Sequence, residues 1–239
     1  MPCSGHFFMD AFDTTRMIIG LIFLLIGLVY FLKQTVLKNT KISVQFISRT
    51  AIFAAISIIL YTVPYLKYPV FFFPSFLEIH FDEVPVFIAG FAYGPLSAII
   101  IILIKTIVKL PLTTSLCVGE LADCLYSLVF VIPATLIYKK HRHFKGAMVG
   151  ISVGLVAQLI VSSIFTSFVM LDFYMFVMGL SKETILKMCQ LANPNVTDLG
   201  WTFCFLVALP FNAFKDVLVL VLTILLYKRL HRLLDKIKA

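Results

Sequence analysis

The chain has 239 residues, 61% of them hydrophobic, and a mean hydropathy of +1.02. Its 20 Lys and Arg against 12 Asp and Glu leave a formal net charge of +8, gathered at the ends of long apolar runs. This excludes a water-soluble globular domain, and the splitting of the basic residues among short segments excludes a nucleic-acid-binding surface.

A membrane-spanning helix takes about 20 apolar residues. In chain order the candidates are Met17 to Leu32, Phe46 to Val63, the short Val84 to Tyr93, Leu96 to Val108, Leu121 to Tyr138, Gly146 to Leu171 and Trp201 to Tyr227. The short run is expected to join the next through a Gly94-Pro95 turn, giving an all-α, polytopic membrane helical bundle of seven helices, one of them short. The opening MPCSGHFFMDAFDTTR carries Asp10 and Asp13 where a secretory signal is positive, so Met17 to Leu32 is expected to be retained. Residues 1–42 then form an external N-terminus, an extra transmembrane helix and a basic linker, ahead of a membrane domain over 43–239.

Lys and Arg in short loops tend to stay cytoplasmic. The stretches around Lys33–Arg49, Lys139–Lys145 and Lys228–Lys238 hold 13 of the 20 basic residues but only one acid, Asp235. These stretches are expected inside, with the N-terminus outside and the segments Pro64 to Glu83, Lys109 to Glu120 and Asp172 to Gly200 external. The first external segment, PYLKYPVFFFPSFLEIHFDE, is too aromatic for a disordered linker and should fold over the outer face. Asp82 and Glu83 at its end should lie near the positive end of a helix dipole. SKETILKMCQ reads as a short amphipathic external helix, Lys182 to Leu191, stopped by Asn193-Pro194.

Ionisable groups at membrane depth are expensive and mark internal pathways or sites. Lys105, Lys109, Glu120, Asp123, Asn212, Lys215 and Asp216 all fall in the outer half and can line one external cavity. Asn212 and Lys215, three apart, share a helical face and suit a polar small molecule. Two bland readings stay open: Lys215 locked internally to Asp123 or Glu120, and Lys105 and Lys109 snorkelling to outer headgroups. The five cysteines form no CxxC pair, and no HExxH, GxSxG or phosphate-binding GxxxxGK[ST] occurs, so neither a metal site nor a resident cofactor is expected. Any ATP-driven transport would need a separate ATPase.

The ordered series RTAIFAA, FLEIHFDEVPVFIAGFAYGPLSAIIIILIK, VGELAD and LPFNAFKD resembles the substrate-binding S-component of energy-coupling factor (ECF) vitamin transporters, chiefly the riboflavin-specific branch, over Ser43 to Lys228. The resemblance implies a six-helix core, here with an additional N-terminal transmembrane helix, that binds a vitamin on its outer side. Its partners would be a transmembrane coupling subunit and two ATPase subunits. Ala51 and Ala55 match the alanine motif that packs on the coupling subunit, Asn212 and Lys215 match a pair that contacts the flavin ring, and Thr166 aligns with a further contact. Thr106 and Asp123 stand where the family often has asparagine. The lid aromatics, Phe76 among them, and the carboxyl groups of Glu120 and Asp123 complete the expected site. Pantothenate or another water-soluble vitamin is the runner-up substrate. An intramembrane enzyme dependent on Glu120 or Asp123, and a structural scaffold, are the readings from other classes.

Overall fold

The computed structural model describes residues 42–66, 68–69, 73–74, 77–113, 117–179 and 181–238. The expected helix Met17 to Leu32 lies outside the described residues, as does Phe76.

Helix α1, Val44–Thr62, starts at Ser43, whose hydroxyl accepts from the Phe46 amide at 3.1 Å and meets one of the donors that every helix start leaves over. The lid follows: a 3₁₀ turn, Pro64–Leu66, then strands β1, Tyr68–Pro69, and β2, Glu78–Ile79, paired antiparallel with Tyr68 opposite Ile79. Helix α2, Glu83–Tyr93, stops at Gly94, whose φ of 97° is open to glycine, and Pro95 opens α3, Pro95–Lys109. Helices α4, Val118–Lys140, and α5, Phe144–Phe165, form the tightest antiparallel pair. A Cβ on Gly150 would lie 2.6 Å from the Ala134 carbonyl oxygen, and one on Gly154 would overlap that of Phe130. Only glycine lets these two backbones approach so closely.

Beyond α5 the chain differs from expectation. Instead of ending at Leu171 the helix passes through a π-helical turn, Thr166–Met170, into α6, Leu171–Met178. Ser167 donates its hydroxyl to the Ser163 carbonyl at 2.7 Å, a back-bond that bends helices without ending them. The short helix α7, Lys182–Ala192, forms where expected, with the Ser181 hydroxyl accepting from the Thr184 amide. A single turn, Trp201–Phe203, leads through a second π-helical turn, Cys204–Ala208, into α8, Leu209–Lys238. Pro210 explains the second irregularity, because it has no N–H for the Leu206 carbonyl.

Five helical stretches among the described residues are long and apolar enough to cross a membrane, and α2 is a shorter apolar helix. Burial is graded across them: 61% of the apolar window of α4 is inside the bundle but only 22% of that of α1. The inner core is aromatic, with Phe87 against Phe130 at 4.7 Å between ring centres and Phe91 against Tyr138 and Tyr227, whose hydroxyls hydrogen-bond each other. A second cluster of Leu171, Ile185, Cys189, Val196, Phe203 and Val207 takes in Phe73 and Leu77 of the lid, so the lid and the segment around α7 share one apolar seam.

Candidate functional site

The lid returns to the bundle through His80, Phe81 and Asp82, and there the polar residues converge. Asp82 stands at the N-cap of α2, near the positive end of its dipole as expected, but its side chain makes no cap hydrogen bond. One carboxylate oxygen pairs with His80 Nδ1 and the other with Lys105 Nζ. Burial alone would push the Asp82 carboxyl up, but the Lys105 ammonium and His80 beside it hold it well below the usual carboxylate range. Its backbone carbonyl also accepts from Ser57 of α1 at 2.8 Å.

Lys105 is fully buried, which overturns the snorkelling reading for this residue. Besides Asp82, its ammonium reaches Asp123 Oδ2 at 3.2 Å and donates to Ser127 Oγ at 3.0 Å, and it lies 4.9 Å from the centre of the Tyr61 ring. Ser127 in turn donates to Glu83 Oε1 at 2.9 Å. Lys109, one turn further out, is half-buried over the same Tyr61 ring. A buried ion pair holds only when its remaining donors and acceptors are met, and here helices α1 to α4 all contribute.

Lys215 approaches from α8. Its Nζ is 3.5 Å from Asp123 Oδ1 and 3.4 Å from His80 Nε2, so the internal pairing with Asp123 is present. Asn212 is buried on the same face of α8, but its Nδ2 donates to the Ala208 carbonyl of its own helix at 2.9 Å. Glu120 is buried at the start of α4, where Thr113 donates to it at 2.7 Å. Thr166 opens the first π-helical turn and shares a 3.0 Å hydrogen bond with the Tyr126 hydroxyl. Asp123, Lys215 and the lid end thus come together, Asn212 flanks them on α8, and Glu120 and Thr166 have separate local partners. Ala51 and Ala55 lie on the exposed face of α1.

His80 was not singled out from the sequence, and neither were Tyr61 and Ser127. A signal existed for the first: residues two apart in an extended segment share a side, so the H-x-D of IHFDE presents His80 and Asp82 together. Ligand atoms of His80, Asp82 and Asp123 lie within 4.8 Å of one another, a metal-like grouping among the described residues. Two ammonium groups already pair with its carboxylates, and they oppose a further cation. One wall of the cluster is aromatic, with Tyr61 at a tilt on His80; elsewhere Phe73 of the lid meets Phe211, next to Asn212 in sequence, edge-on at 5.2 Å. A separate cavity of about 390 Å³ lies between the first π-helical turn, α6 and α7, lined by Phe168, Asp172, Met175 and Glu183 among others, and includes none of the clustered charges.

A buried, mixed-charge cluster beneath the return of the lid, in a bundle of membrane-length helices, is suited to holding a polar small molecule. The comparisons with known proteins agree in class. The riboflavin transporter RibU of Staphylococcus aureus (strain TCH60) is 28% identical over 197 residues, covering 82% of this chain and 97% of that protein. The riboflavin transporter FmnP of Bacillus subtilis (strain 168) is 26% identical over 188 residues, covering 77% and 92%. A solved structure of the S component of a bacterial ECF transporter is similar with a TM-score of 0.61 at 27% identity, over 80% of this chain and 97% of that one. The family model of the ECF transporter substrate-specific component matches residues 45–227, and the chain belongs to that family.

Proposed function

We propose that this S component captures riboflavin, or a closely related flavin, beneath the lid on the outer side of the membrane. Two relatives named as riboflavin transporters align with it over nearly their whole lengths, which supports the flavin. The observation that carries the reading is the junction of aromatic and polar groups: the Tyr61 ring lies against His80 and the Lys105 ammonium, in the cluster that also contains Lys215 and Asp123. A flat heteroaromatic ring stacks on aromatic walls, and its carbonyl and nitrogen edge needs hydrogen bonds. In this reading Lys215 and Asn212 meet the ring edge, Asp123 orients Lys215, Thr166 and Glu120 border the site, and Phe76 belongs to its cover.

Trp201 supplies the test. It is 58% exposed, at the outer end of the last membrane segment, packed against Phe168 and Phe205. Riboflavin titrated into purified protein should quench its emission saturably. Unchanged emission, with no flavin retained on gel filtration, rejects the flavin.

The same reading gives the chain a transmembrane coupling subunit and two ATPases as partners, with Ala51 and Ala55 on the docking face. It also sets the basic loop between α4 and α5 in the cytoplasm. In a background stripped of native cysteines, Lys187→Cys should react with an impermeant maleimide on intact cells and Lys140→Cys only after lysis; the reverse pattern inverts the topology.

A further inference from the structure

The ion-paired cluster does not engage all the polar groups around it. Among the described residues, eight buried side-chain atoms have no hydrogen-bond partner: both amide atoms of Gln158 and the hydroxyls of Ser162 and Ser163 on α5, both carboxyl oxygens of Asp216 and the hydroxyl of Thr223 on α8, and Oε2 of Glu83 on α2. Buried polar groups in native proteins are almost always partnered, and the exceptions ask for an explanation. Glutamine inside a membrane bundle normally bonds across to a neighbouring helix, and Gln158 does not.

These atoms are not scattered. Gly150, Gly154, Gln158 and Ser162 recur every fourth residue along one buried face of α5. Gly150 meets Ala134 and Gly154 meets Phe130 on the antiparallel α4. Continuing that register puts Gln158 at the level of Tyr126 and Ser127, and Ser162 at the level of Asp123. Ser127 is the residue through which Lys105 is linked to Glu83. On α8, Asp216 lies one residue beyond Lys215 on the buried face and within electrostatic range of Glu83, Lys215 and Asp123. Thr223 is two turns further in, ~10 Å along the helix, and belongs to a different level. The unpartnered groups of α2, α5 and the middle of α8 therefore lie at the depth of the cluster.

Their chemistry selects what can meet them. An amide offers both donor and acceptor, the two hydroxyls do the same, and the carboxyl oxygens of Asp216 and Glu83 accept. Groups that both donate and accept fit such a set; an apolar chain leaves it unmet, and an anionic chain faces two carboxyl groups. We propose that Gln158, Ser162, Ser163 and Asp216 form a subsite for a neutral polyhydroxylated chain carried by the ligand. This rests on the flavin reading above, since the ribityl chain of riboflavin is such a chain.

The full-length protein in detergent is titrated with riboflavin and with lumiflavin, which has the same ring but a methyl group in place of the ribityl chain. Wild type should bind riboflavin at least about tenfold more tightly than lumiflavin, the worth of one to two hydrogen bonds. Gln158→Leu, and separately Ser162→Ala with Ser163→Ala, should each weaken riboflavin binding about tenfold and leave lumiflavin binding within about twofold. Leucine nearly preserves volume and removes two unmet polar atoms, so Gln158→Leu should not lower the melting temperature of the ligand-free protein. Equal loss for both ligands, no loss for either, or a lowered ligand-free melting temperature overturns the subsite and leaves the flavin assignment standing. Failure of wild type to bind either flavin overturns both.

Discussion

Lys105 and Lys215 are both lysines on apolar helices, but their surroundings assign them different work. Lys105 has no exposed surface and is held between Asp82 and Asp123, with Ser127 as a third partner. Removing one member of a buried pair leaves an uncompensated charge and costs about 3–5 kcal/mol. Lys105→Met should therefore lower the melting temperature of the purified protein sharply, whereas Lys109→Met, at a half-buried position, should barely move it. Equal melting of the two variants would mean that the Lys105 pairs carry no structural weight. Lys215 makes longer approaches, 3.4 Å to His80 and 3.5 Å to Asp123, and sits on the helix that also presents Asn212. A cation held at that distance is the more easily exchanged for a ligand oxygen. Composition alone could not separate these two lysines, because the partners of Lys105 lie 23 and 18 positions away in the chain.

At the scale of elements, small residues and helix irregularities shape the bundle. Gly150 and Gly154 bring α5 onto α4 closely enough that a side chain would strike backbone carbonyls. Gly154→Val should force the pair apart and cost about 1–3 kcal/mol, the usual penalty of overpacking. Thermal melting in detergent checks this, and a melting temperature equal to wild type would show that the helices part freely there. The two π-helical turns, Thr166–Met170 and Cys204–Ala208, interrupt the C-terminal part of one long helix and the N-terminal part of another, at the same end of the bundle. Pro210 gives the second a local cause, since it has no N–H for the Leu206 carbonyl. The first has no proline, and only its Ser167 back-bond marks it, so the expected end at Leu171 was one α-helix short of the observed Met178. Helix starts depend on local hydrogen-bond or φ requirements: the Gly94-Pro95 turn and the start at Lys182 stand where expected, while the Ser43 cap starts α1 at Val44, two residues before the expected Phe46.

For the whole molecule, α1 is the element left most open. Ile47, Ile52, Ile56 and Ile59 are more than 40% exposed, and Ala51 and Ala55 lie on the exposed side with them. Lipid is as apolar as these side chains, so association with a partner helix depends on close packing, which alanine permits and a larger residue blocks. Ala51→Leu with Ala55→Leu should abolish vitamin uptake by cells while leaving binding to the purified subunit unchanged. Normal uptake would remove α1 from the coupling surface. The sequence by itself determined the membrane class and the order of the helices, because hydropathy and capping act over short stretches of chain. Which polar residues meet was decided only by the tertiary structure. His80 and Asp82 end a loop, Lys105, Asp123 and Lys215 lie on three different helices, and long-range packing brings their charges within reach of one another.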